Sequence, residues 1–168
     1  MASNLIISGS YAAKVDTSNE IPVGSGVIYT ESAVDKIVGS NNFSQNLEYD
    51  PTKVVKAVGV ISALAGTTPI VGTDFVTGGG YETGVVVTGT IPTTMKMAYI
   101  KLDSVIGTTT KITVQIIGST NADLAELETG QSVIVPFKDV SPSKLSVYAD
   151  AYTDNTNEAN ATVILIGD

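Results

Sequence analysis

Strict alternation of apolar and polar residues, repeated in one segment after another, limits this chain to β structure. KITVQIIG (Lys111 to Gly118) sets Ile112, Val114 and Ile116 on one side and Lys111, Thr113 and Gln115 on the other. KLSVYADAY (Lys144 to Tyr152) puts Leu145, Val147, Ala149 and Ala151 inward and Lys144, Ser146, Tyr148, Asp150 and Tyr152 outward. A period of two is the mark of a strand with one face on a core, because successive side chains of a pleated backbone point to opposite sides. MAYIKLDSV (Met97 to Val105), QSVIVPF (Gln131 to Phe137) and ATVILIGD (Ala161 to Asp168) complete a set of five such strands. The last is apolar on both faces from Val163 to Ile166, so it is expected to be a central strand or to lie against a partner, with Ile164 and Ile166 as contact residues.

Turn residues fall between these strands at regular intervals: Gly107-Thr108, Gly118 to Asn121, Gly130, Ser141-Pro142 and Asp154 to Asn160. Such spacing predicts an antiparallel β-sandwich or a jelly-roll-like barrel rather than strands alternating with helices. Asp123 to Glu128 reads either as a helical turn or, the favoured reading, as an edge segment leading into Gly130. Further strands are expected at Val54 to Ala63, Asp74 to Thr77 and Gly84 to Ile91, with Gly78-Gly79-Gly80 as a mobile turn between the last two. A hydrophobic fraction of 43% against 15% charged residues excludes a disordered chain, and 168 residues suit one compact domain with an extension. The sandwich is placed at 51–168. Residues 1–50 read as an irregular N-terminal arm, with short strands at Asn4 to Ile7 and Gly26 to Tyr29, a polar loop at Asp16 to Glu20 and one short helix at Ser32 to Val38.

What the chain lacks narrows its function. It has no His, Cys or Trp, and all nine of its basic residues are Lys. Nucleophilic catalysis normally sets an imidazole or an equivalent base beside Ser, Cys or Thr, and the chain has no imidazole, no thiol and no phosphate-cradling GxxxxGK[ST] loop. The expectation is a protein that is not an enzyme and carries no cofactor. A net charge of −8 with Lys scattered from Lys14 to Lys144 argues against nucleic acid, whose backbone is held by clustered Lys and Arg. No apolar run approaches the length of a membrane helix, since Lys56, Gly59 and Ser62 interrupt the longest. MASNLIISGSYAAK has no basic stretch leading into an apolar one, so no secretory signal is expected.

Two groups of residues could carry a binding role. Asp150, Asp154, Asn155, Asn157 and Glu158 gather hard oxygen ligands in one loop, the chemistry calcium takes, although the spacing matches no EF-hand. The competing reading is a polar hairpin connection in which Asn and Asp tolerate unusual turn backbones. Tyr148 and Tyr152 lie on the face read as exposed, and Tyr brings apolar area with a hydroxyl, which suits interfaces. A soluble, phenol-bearing strand face would look the same.

From Met95 to Asp168 the order is TKITVQIIG, a Gly turn, ETGQSVIVPF, a Pro loop, KLSVYADAY, a polar loop and ATVILIGD. This order resembles the small β-sandwich or jelly-roll virion proteins of tailed phages, the head-decoration (cement) type above all. The resemblance implies a homo-oligomer, commonly a trimer, that sits on the capsid lattice and bridges subunits of the major capsid protein. It implies assembly into the virion after synthesis in the host cytoplasm, with the N-terminal arm laid against the shell. A carbohydrate- or surface-binding β-sandwich module, made calcium-dependent by the 150–158 loop, is the alternative.

Overall fold

The structure is a computed structural model that describes residues 52–168 throughout and, before them, the backbone of four strands. These are β1 (Leu5–Ala12), β2 (Ile21–Val23), β3 (Val27–Tyr29) and β4 (Ser40–Leu47). β1 pairs antiparallel with β4 from Leu5 opposite Leu47 to Ala12 opposite Ser40, and β2 pairs with β3. The expected short strands thus correspond to β1 and β3, and β1 runs well beyond Ile7. The expected loop at 16–20 and helix at 32–38 lie outside the described residues. Contacts divide the chain into Met1–Asp50 and Pro51–Asp168.

The second unit is an all-β sandwich. Its strands are β5 (Lys53–Ile61), β6 (Val86–Gly89), β7 (Met95–Ile106), β8 (Lys111–Ile116), β9 (Ala122–Glu128), β10 (Ser132–Val140), β11 (Leu145–Ala149) and β12 (Glu158–Gly167). One sheet has the order β10-β7-β12-β5-β6 and the other β11-β8-β9, with every neighbouring pair antiparallel. The five expected strands are β7, β8, β10, β11 and β12. β12 is central, paired along its length with β5 and β7, as its two apolar faces predict. DLAELE is strand β9 on the edge of the smaller sheet.

Alternation decides what is buried. Ala159, Ala161, Val163 and Leu165 of β12, Ala98, Ile100 and Leu102 of β7, and Val55, Ala57 and Ile61 of β5 face inward against Ile112, Val114, Leu145, Val147 and Ala149 of the smaller sheet. Each fully buried Val, Ile or Leu contributes about 1.5–3 kcal/mol relative to an exposed one, so this shared core sets the phase of every strand.

The connection from β5 to β6 differs from expectation. Asp74 to Thr77 is not a strand. The Asp74 carboxylate accepts the amides of Val76 and Thr77, which curls the backbone into a turn and holds that carboxyl below the usual carboxylate range. The Gly78 to Gly80 run therefore does not join two strands as a hairpin turn. Gly79 lies so close to the Phe75 and Asp74 carbonyls that a Cβ would collide with both, and Gly80 accepts the Ser62 amide at 2.9 Å. Glycine serves here for close backbone approach. The compact loop drives Phe75 and Tyr81 into the core, edge to face at 5.8 Å. The Tyr81 hydroxyl donates to the Ala161 carbonyl at 3.0 Å.

No helix among the described residues is long and apolar enough to cross a membrane.

Candidate functional site

The two sheets present very different outer faces. On the smaller sheet the face read as exposed carries Thr113, Gln115, Ser146 and Tyr148, and three of these are buried, Ser146 completely. The segment that follows β5 explains the burial. It runs along the free edge of β11, with Ala149 donating to the Ala63 carbonyl at 2.9 Å and Ile70 donating to the Leu145 carbonyl at 2.6 Å. It brings Gly66 so close to the Gln115 side chain that a Cβ there would overlap the amide. Gln115 donates to Asp123 at 2.6 Å, while its Oε1 and the Ser146 hydroxyl are buried without a hydrogen-bond partner. Tyr148 is half-buried and packs against the core cluster. Tyr152 is not on the strand, because β11 ends at Ala149. It is half-buried beside Glu82, whose charge and hydrogen bond, after burial, raise its phenol. The structure therefore separates Tyr148 from Tyr152 rather than setting both on one free face.

The larger sheet is the reverse. Register places Ile134, Tyr99, Ile164 and Lys56 in one row across four strands, and Pro136, Met97, Ile166 and Val54 in the next. Ile134 is 42% exposed and Val54 47%, while Tyr99 and Ile164 between them are half-buried. Met97 and Ile166 in the middle of the second row are buried. Toward the far end of the sheet the face becomes polar. Asp103 accepts from Lys101 at 2.8 Å and from the Thr162 hydroxyl at 2.6 Å. Burial alone would raise the Asp103 carboxyl, but these two partners outweigh it and hold the group low. The result, among the described residues, is a partly exposed apolar band on the outer face of the larger sheet, bounded by an ion pair, and contiguous apolar surface of this kind marks interaction sites.

The oxygen-rich loop is divided by the fold. Asp150 accepts from the Thr110 amide at 3.0 Å, from the Thr110 hydroxyl and from the Lys111 amide, so it closes the turn before β8. Burial would raise its carboxyl, yet these hydrogen bonds together hold it low. The Asn157 Oδ1 accepts the Thr108 amide at 2.8 Å. Asn155, at a positive φ of 59°, donates its amide to Glu158 at 2.7 Å and its side-chain Nδ2 to Asp154 at 2.8 Å. Of the five candidates only Asp154 and Glu158 converge, and they do so with Glu82, from the far side of the sequence; the three carboxylates offer oxygens within 4.8 Å of one another. Partial loss of solvent raises the Glu82 carboxyl, and the Asp154 and Glu158 charges push the same way against the Tyr152 hydrogen bond. Such a group can store repulsion or accept a cation.

A shallow cavity of about 210 Å³ lies among Val71, Gly72, Thr73, Ile91, Pro92, Thr93 and Ser141 to Ser143. Its lining contains no ionisable side chain, so it supplies neither acid nor base to a bound molecule. Compared with protein-family models, curated proteins and solved structures, the chain matches none.

Proposed function

We propose that this chain is a non-enzymatic structural protein of a virion, a capsid decoration protein of the tailed-phage cement type, and that it bridges major capsid protein subunits through the outer face of its larger sheet. The observation that carries the reading is the apolar band of Tyr99, Ile134, Ile164 and Val54 on the outer face of the larger sheet, where Ile134 and Val54 are exposed among the described residues while most of the polar outer face of the smaller sheet is buried. A protein that reinforces a shell needs contact area and little else. Burial of such a band supplies association energy without any acid–base group. The acidic surface, with a net charge of −8, keeps the protein off the packaged nucleic acid.

The competing reading, a calcium-dependent surface-binding module, is favoured by the convergence of Glu82, Asp154 and Glu158. One experiment separates the two. Purified chain is sedimented with undecorated heads assembled from the major capsid protein of the same genome, once with a chelator and once with calcium. Decoration predicts saturable co-sedimentation that ignores calcium. No binding to heads, together with a rise in melting temperature on adding calcium, would overturn it in favour of the module, since a ligand selective for the folded state must stabilise it.

A further inference from the structure

A sandwich with two open sheets has four strand edges, and an unpaired edge is a template for another chain unless it is guarded. Three of the four are guarded here. The β9 edge carries Asp123, Glu126 and Glu128. The β10 edge carries Pro136 and a register shift between Pro136 and Val140, with Asp139 at a positive φ of 56° and ion-paired to Lys96. The β11 edge is covered by the chain's own segment through the Ala63 and Ile70 hydrogen bonds. β6 carries no charge, no proline and no covering segment among the described residues, and its one irregularity is Gly89 at its end, at a positive φ of 100°. Its sequence is Val-Val-Thr-Gly, all four residues are exposed, Val86 is 65% and Val87 44% accessible, and no charged residue occurs between Glu82 and Lys96.

The hydrogen-bond phase of β6 is set by its partner. Thr90 donates to the Val54 carbonyl at 2.9 Å, and Thr88 and Val86 stand opposite Lys56 and Val58. In an antiparallel ladder this turns the amides and carbonyls of 86, 88 and 90 toward β5 and those of Val87 outward, while Gly89, at a φ of 100°, leaves the regular ladder. Among the described residues nothing pairs with the outward Val87 groups.

We propose that β6 pairs antiparallel with β6 of a second copy of this chain about a twofold axis at Val87, which joins two five-stranded sheets into one. The pairing is self-complementary: Val87 faces Val87, and Val86 faces Thr88 of the second copy. Charge selects the occupant. A chain of net charge −8 repels its own copy wherever carboxylates face each other, as they would across β9. At β6 the two copies meet through uncharged, β-branched residues, and the nearest charge on this stretch of sheet is Lys56 on β5, one strand back from the edge. The contact is isologous and closes as a dimer, where the resemblance to decoration proteins implied a trimer. It is independent of the capsid proposal and goes beyond it.

The test is the solution mass of the full chain by sedimentation velocity and native mass spectrometry over a concentration series, with amide exchange measured in parallel. The expected result is a dimer in which the Val87 amide gains protection as concentration rises. Val87→Pro removes an outward N–H and no hydrogen bond to β5, because proline is tolerated on an edge where its nitrogen faces solvent. It should weaken the dimer at least about tenfold. Val86→Lys, which places a charge on the edge, should do the same and decides the matter if the proline variant fails to fold. A chain that stays monomeric throughout the series overturns the proposal. So does a dimer or trimer whose mass and exchange pattern neither substitution changes.

Discussion

The outer faces of the two sheets invert the rule by which strands are usually read. On β8 and β11 the residues pointing away from the core are polar, yet Thr113, Gln115 and Ser146 are buried, Gln115 against Gly66 of the segment after β5. On β5, β7, β10 and β12 the outward residues include Val54, Tyr99, Ile134 and Ile164, yet Val54 and Ile134 are exposed and Tyr99 and Ile164 only half-buried among the described residues. Alternation fixes which way a side chain points. Whether that direction leads to water depends on where the connecting segments run. Exposed apolar residues grouped on one sheet face are a common feature of interaction surfaces.

The contrast can be broken most sharply by placing the same charge on both faces. Ser146→Lys forces an ammonium into a site with no room and no partner, and should cost about 3 kcal/mol or more, read as a collapse of the urea midpoint. Ile164→Lys on the open face should stay within about 1 kcal/mol of wild type. Equal costs would mean that the two faces do not differ as described.

The core between the faces makes a smaller and pH-dependent contribution through Tyr81. Burial pushes its hydroxyl far above the ordinary tyrosine value, with the Asp103 charge adding to the effect. The folded state thus keeps a proton that the unfolded chain gives up. The stabilising contribution is complete below the unfolded value of about 10 and is lost as pH rises above it, at about 1.4 kcal/mol per unit while folded Tyr81 stays protonated. Tyr81→Phe should cost about 1 kcal/mol at neutral pH through the lost hydrogen bond to Ala161. Thermal melts over an alkaline series should show a shallower decline for that variant than for wild type.

Two finer substitutions sharpen the comparison. The Ser146 hydroxyl is buried without a partner, so Ser146→Ala should be neutral or stabilising by up to about 1 kcal/mol, the opposite of the usual outcome for a buried polar residue. The smallest effect belongs to Glu82. Its raised carboxyl gives stability that is present below the ordinary carboxylate value and lost as pH rises through the raised one. Glu82→Gln should therefore melt slightly above wild type at neutral pH and equal to it in acid.

The five alternating strands, the central place of β12 and the edge position of β9 were legible because each follows from a residue's own neighbours. The β5–β6 connection was not. Val76 and Phe75 look like strand residues, but the Asp74 carboxylate captures two amides and Phe75 is worth more in the core than in a ladder. The glycine triplet reads as slack until its neighbours are known; in place it is packed against the Phe75 and Ile70 backbone. At the carboxylate cluster, Asp154 and Glu158 share one loop and could be paired from spacing. Glu82 arrives through β-sheet register and could not. Asp150 and Asn157 look like ligands by composition, yet they hold turns, the other common use of a short polar side chain.

The claim that the open sheet face is the docking surface is tested most directly by co-sedimenting wild type and Ile164→Lys with undecorated heads, after melts have shown both to be folded. Wild type should pellet with the heads to saturation, and the variant should remain in the supernatant. Equal binding of the two proteins, or binding by neither, would contradict the account.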